Sequence, residues 1–169
     1  SVHTPVKNDH CIACHNPHSS ANKNLLKNPG DALCFQCHAG KKELFTKAVR
    51  HAPVKDGDCL VCHSPHASDN KNNLVSAPPE LCVNCHETGD AKTGDASFAK
   101  AHNNYPVAKK DCTSCHDPHS SDKKGLFVSA IHGPVEEKSC SACHNDPASA
   151  QPLATVKQGS DLCLDCHSD

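Results

Sequence analysis

Large apolar side chains are thinly and irregularly spread along this chain, and they set no period that would carry a sheet or a long helix. The stretches 19–30, 67–73 and 87–97 are dominated by Asn, Asp, Ser, Lys, Gly and Pro, the composition of turns and surface loops. Residues 41–50, Lys-rich with Leu44, Phe45 and Val49 at helical spacing, predict one short helix, a connector packing one face inward. No apolar run approaches a membrane span. The expected fold is mostly irregular with short α-helices and no sizeable sheet.

Composition changes that picture in one respect. Of 169 residues 36% are apolar, but the figure includes fourteen cysteines; aromatics are 3%, and Met and Trp are absent. So few large aliphatic and aromatic side chains cannot build a protein-only core. Something other than polypeptide must fill the interior.

The cysteines supply the candidate. They form seven C-x-x-C-H motifs: Cys11–Cys14–His15, Cys34–Cys37–His38, Cys59–Cys62–His63, Cys82–Cys85–His86, Cys112–Cys115–His116, Cys140–Cys143–His144 and Cys163–Cys166–His167. C-x-x-C-H is the attachment signature of c-type haem. The two thiols add across the two vinyl groups of one porphyrin, and the adjacent histidine falls under the iron as proximal ligand. Seven haem c groups, about one per 24 residues, would leave no room for layered secondary structure.

The motifs lie in a repeat. A histidine eight residues before a cysteine opens units one, two and four as His3-Thr4-Pro5-Val6, His51-Ala52-Pro53-Val54 and His132-Gly133-Pro134-Val135. His102 opens unit three with two extra residues, which carry the sole tyrosine, Tyr105. After the first motif of units one to three comes H-x-P-H, ending in His18, His66 and His119; unit four has Ala148 there. The second motif follows 23 residues after the first in units one, two and four, and unit three lacks it. The sub-repeats are therefore 1–48, 49–98, 99–130 and 131–169, the third with one haem and the others with two.

Fifteen histidines divide along these lines. Seven are proximal by motif, and seven more occupy repeated positions: the lead-in set His3, His51, His102 and His132, and the H-x-P-H set His18, His66 and His119. Fourteen histidines thus match seven irons with two axial ligands each. His10 has no counterpart in the other units and reads as a surface or propionate-contacting residue. No methionine exists to serve as a ligand, so bis-histidine coordination and low potentials are expected.

Reach limits the pairing. Three residues span at most about 10 Å, too little for His18 to pass the porphyrin edge from His15. The H-x-P-H histidines must serve neighbouring haems: His18 the His38 haem and His66 the His86 haem. The lead-in histidines, twelve residues before their proximal partners (fourteen for His102), can reach the first haem of their own unit. His119 is then surplus and the His167 haem deficient, and pairing them balances the count. The haems should follow one another in sequence order, with a different contact where the spacing becomes 28 residues between Cys112 and Cys140.

Zinc and disulfides also use cysteine pairs, but neither calls for a histidine after every second cysteine. A formal charge of −2, made more negative by propionates, argues against nucleic acid as a partner. Covalent haem attachment occurs outside the cytoplasm, and the sequence from Ser1 reads as the mature part of an exported protein.

On these motifs and H-x-P-H elements the chain resembles multihaem c-type cytochromes of the doubled C-x-x-C-H kind. Its comparisons are the small tetrahaem cytochromes of sulfate reducers and the multihaem cytochromes of metal reducers, some of which polymerise into extracellular filaments. The resemblance implies a haem-packed fold and electron hopping between closely spaced irons, in the periplasm or outside the cell. It implies redox proteins or extracellular acceptors as partners. One alternative is a filament subunit donating a histidine to its neighbour. Another is a reductase of nitrite, hydroxylamine or sulfite with one open iron, sought at the His167 haem; Tyr105 is expected to pack rather than to take part in redox chemistry.

Overall fold

A one-turn helix with proline in its first turn follows three of the four lead-in histidines. His3, His51 and His132 are extended (ψ 135°, 140° and 137°) and stand just before α1 (Thr4–Lys7), α3 (Ala52–Lys55) and α6 (Gly133–Glu136). Proline suits the first turn because its missing N–H would find no helical partner there. The other helices are α2 (Gly30–His38), α4 (Glu80–Val83), α5 (Ala96–Ala101) and α7 (Ser160–Leu164). The computed structural model describes residues 1–86 and 96–167. Among these the only paired strands are β1 (Val49–Arg50) and β2 (Ser120–Ser121), antiparallel, with Val49 opposite Ser121 and Arg50 opposite Ser120. The expected architecture of short helices without a sizeable sheet is what forms.

The helix expected over residues 41–50 forms only in its first half. A 3₁₀ turn over Ala39–Phe45 ends there, and Val49–Arg50 is drawn out to pair with β2. Phe45 packs edge-on against Phe35 (5.4 Å between ring centres) and His119 (4.6 Å).

Two compact units are built from discontinuous stretches. One is Ser1–Leu81 with Cys112–Ser129; the other is Cys82–Asp111 with Ala130–Asp169. Among the described residues the only buried apolar side chain is Tyr105, alongside the buried Ser120 and Ser121. Ile12, Leu60 and Val61, inside the first motifs, are half or more exposed.

Candidate axial-ligand sites

Each first motif is wound as a 3₁₀ turn: Cys11–Ala13, Cys59–Val61, Cys112–Ser114 and Cys140–Ala142. The N–H of the following histidine donates to the carbonyl of the first cysteine at 2.9–3.0 Å in all four, and the same bond forms from His86 to Cys82 and from His167 to Cys163. That helical bond stacks each histidine one turn above the first cysteine, so thiols and imidazole present one face. None of the fourteen cysteines is in a disulfide.

A return loop then fixes the proximal ring. His15, His63, His116 and His144 bond through Nδ1 to the carbonyl nine residues on, at Asn24 (2.8 Å), Asn72 (3.0 Å), Gly125 (2.6 Å) and Leu153 (3.0 Å). An Nδ1–H donor leaves Nε2 as the free ligating nitrogen, and the bond to the carbonyl sets ring orientation and raises basicity. The first three carbonyls point inward because Asn24, Asn72 and Gly125 are left-handed (φ 54°, 57° and 68°), a conformation that asparagine and glycine tolerate. Ser20, Ser68 and Ser121 close these loops by donating to the carbonyls of Leu26, Leu74 and Phe127. In the sequence these segments read as turns, and their hold on the proximal rings is not among the expectations above. The signal was Lys-Asn or Lys-Gly repeated with its second residue nine positions after a proximal histidine.

The histidines meet in pairs with one geometry. In the first unit, ring centres of His15 and His66 are 6.0 Å apart, those of His3 and His38 6.1 Å, and those of His63 and His119 6.2 Å. In the second, His132 and His167 are 6.1 Å apart. The ring planes differ by 10° to 32°. Rings in contact would be about 3.5–4.0 Å apart. Two metal–imidazole bonds of about 2 Å, plus about 1.1 Å from each nitrogen to its ring centre, give about 6.2 Å. The residues therefore fit an iron between two axial histidines. Among the described residues no three His, Cys, Asp or Glu gather as a metal site. Ser76 Oγ, buried without a partner among the described residues, is left for a group outside the polypeptide. Burial lowers the pKa of His119 despite the opposing charge of Asp117, a shift toward the neutral imidazole.

These pairs correct the connectivity expected from chain reach. Lead-in His3 and His132 stand over the second motif of their own unit, not the first. His66 and His119 stand over the first motif of the preceding repeat, not over His86 and His167. The reason is an antiparallel clasp that spacing alone does not reveal. His3 donates its backbone N–H to the His66 carbonyl (2.8 Å), its Nδ1 meets the Pro65 carbonyl (2.9 Å), and Val2 bridges Ala67. His51 repeats this on His119 (3.1 Å) and Pro118 (3.1 Å), with Arg50 opposite Ser120. The lead-ins of repeats one and two are thus tied to the repeat that follows, carrying its H-x-P-H histidine over their own first motif.

The other predicted residues divide. His102 Nδ1 bonds the Phe98 carbonyl (2.9 Å), and its ring lies 4.3 Å from that of Phe98. His116 lies parallel to Phe127 at 5.2 Å. His18 is exposed and has no ring partner among the described residues, contrary to the expectation that it serves the His38 haem. Tyr105 packs, as expected: its hydroxyl donates to the Asn145 carbonyl (2.9 Å), and its ring stands 6.3 Å from His144 at 60°. The Cys34 thiol donates to the Gly30 carbonyl (3.9 Å), and its pKa is pushed up to about 11 by burial first and by neighbouring Cys59 next.

The family described as Doubled CXXCH motif matches residues 3–43, 51–91, 104–131 and 132–169, and the chain belongs to it. It is a multihaem c-type cytochrome chain, built to bind haem c covalently and to transfer electrons. No curated protein matches it. Among the described residues no helix is long and apolar enough to cross a membrane.

Proposed function

We propose that this doubled-CXXCH chain carries one haem c on each of its seven motifs and conducts electrons among them without transforming a substrate. When bound, each haem supplies an iron that changes its charge by one electron. At four of those irons the chain's own histidines would stand on both sides: His15 with His66, His3 with His38, His63 with His119 and His132 with His167. The carrying observation is the set of histidine pairs 6.0–6.2 Å apart, each with room for one metal and no exchangeable site.

The pairs also support a route. His63 and His66 are three residues apart, yet His63 faces His119 and His66 faces His15. A link of at most about 10 Å of chain thus ties the first iron of unit one to that of unit two. His116 and His119 repeat the link to the next. The His3–His38 pair sets the second motif beside it. We read the first-motif irons as the spine of the conduit, with second-motif irons such as that of His38 beside it, in place of a single file in sequence order. Proximal Nδ1 bonds to backbone carbonyls hold the rings rigid, which keeps reorganisation on electron transfer small.

The sub-repeats 1–48, 49–98, 99–130 and 131–169 each contribute their motifs to this conduit. Its setting is the periplasm or the cell exterior, with redox proteins or extracellular acceptors as partners. Mass spectrometry of the exported holoprotein tests the reading. Seven haems per chain support it; fewer, or loss of haem under denaturing conditions, would refute covalent occupancy of every motif.

A further inference from the structure

The clasp between repeats is made twice inside the chain, and both halves of a third are left over. In the first unit, the Pro17 and His18 carbonyls and the Ser20 N–H have no partner among the described residues, and the His18 ring faces no other ring. In the second, the same holds for the N–H and Nδ1 of His132 and for the Ala130 carbonyl. His132 is exposed, whereas the clasped His3 and His51 are half-buried. His144 completes the set. Its Nδ1 is bonded to Leu153, and its one ring neighbour among the described residues is Tyr105, whose hydroxyl is committed to Asn145. Among the described residues of its unit no histidine stands opposite it.

The two leftovers match position for position. Where His3 binds His66 and Pro65, and His51 binds His119 and Pro118, His132 would bind His18 and Pro17. Where Val2 bridges Ala67 and Arg50 pairs with Ser120, Ile131 would face Ser19. Where the Ser68 N–H donates to the Ser1 carbonyl at 2.9 Å, the Ser20 N–H would donate to that of Ala130. In both internal clasps the H-x-P-H histidine also stands over the first motif of the clasped repeat, His66 over His15 and His119 over His63. The same register puts His18 over His144.

Building on the electron-transfer reading, we infer that a second copy of this chain supplies the sixth ligand of the His144 haem. His18 of one copy caps His144 of the next, and residues 17–20 of the first pair with residues 130–132 of the second. The contact is head-to-tail and uses different surfaces on the two partners, so it propagates into a filament. The ligand set is incomplete in one copy and complete in the polymer. The conduit therefore continues from copy to copy through the link it uses internally, His15 and His18 being three residues apart as His63 and His66 are.

The test uses holoprotein purified with its haems. The wild type should form fibres by electron microscopy and be wholly low-spin by electron paramagnetic resonance. His18→Ala should stay dispersed, with one haem per chain high-spin and binding carbon monoxide. A second variant, Cys140→Ala/Cys143→Ala, lacks the receiving haem and should also stay dispersed, without that high-spin signal. Mixing the two should form dimers that grow no further, because the second variant's His18 caps the first variant's His144 haem, and the high-spin signal should disappear. A wild type that is monomeric and wholly low-spin would overturn the inference, as would a His18→Ala protein unchanged in size and spectrum or a mixture that stays high-spin. Haem content separates the two readings. Seven haems with a silent His18→Ala variant refute only the shared ligand, whereas fewer than seven refute the reading beneath it.

Discussion

His66 faces His15 across 6.0 Å although the two belong to different repeats and His66 stands three residues from a proximal histidine of its own. The relation makes H-x-P-H a bridge between irons. On the proposed reading one end holds the haem its motif carries, and the other would hold the haem of the repeat before.

Replacing His66 by alanine should therefore free the iron held by Cys11, Cys14 and His15. The variant should gain one high-spin haem that binds carbon monoxide. In a background lacking Cys11 and Cys14 the same substitution should add no high-spin signal; if it still does, His66 serves another haem.

In His132→Met the potential of the haem on Cys163 and Cys166 should rise, since methionine ligation raises it within the roughly 0.8 V that axial ligands span. Spectroelectrochemistry should show a single component displaced upward. The displacement should vanish when Cys163 and Cys166 are also removed. A shift that persists would assign His132 to a different iron.

Gly125 has φ +68°, and a Cβ there would meet only the Phe127 ring, at 3.9 Å. Space is available, so alanine should cost about 1–2 kcal/mol through the left-handed backbone alone. Because the Gly125 carbonyl holds His116 Nδ1, valine should cost more and also shift the potential of that haem. Asparagine, present at the equivalent Asn24 and Asn72, should be nearly neutral. Denaturant midpoints and potentials check all three.

Ser120 is fully buried; its hydroxyl donates to the Leu44 carbonyl at 2.7 Å and accepts from the Lys47 N–H at 3.3 Å. Alanine leaves both backbone groups unsatisfied, a loss of about 1–3 kcal/mol. It should also loosen Phe45 from His119. A lowered denaturant midpoint is expected, together with faster ligand exchange at the His63 haem, read by cyanide binding. An unchanged midpoint would count against the burial argument.

Much of this was legible in residue order. The seven motifs, the fourteen repeated histidines and the lack of an apolar core all follow from spacing and composition, because covalent attachment needs a fixed local pattern. Which histidine meets which was not legible. Chain reach sets only an upper limit, and several partners lie within it. Pairing is decided by the clasp, a few backbone hydrogen bonds between segments 63 to 72 residues apart whose residues, such as Val2 and Ala67 or Arg50 and Ser120, carry no pairing signature. The return loops lay between these extremes. Asn24, Asn72 and Gly125 recur at a fixed offset, but their contribution is a carbonyl, which every residue has.

Electron transfer without substrate chemistry is tested most directly by coulometric titration of the holoprotein, alone and with nitrite, hydroxylamine or sulfite. Seven electrons per chain should enter and leave reversibly, one for each motif, and none of the three compounds should be consumed by the reduced protein at a catalytic rate. Fewer electrons, or steady turnover of any of them, would contradict the account.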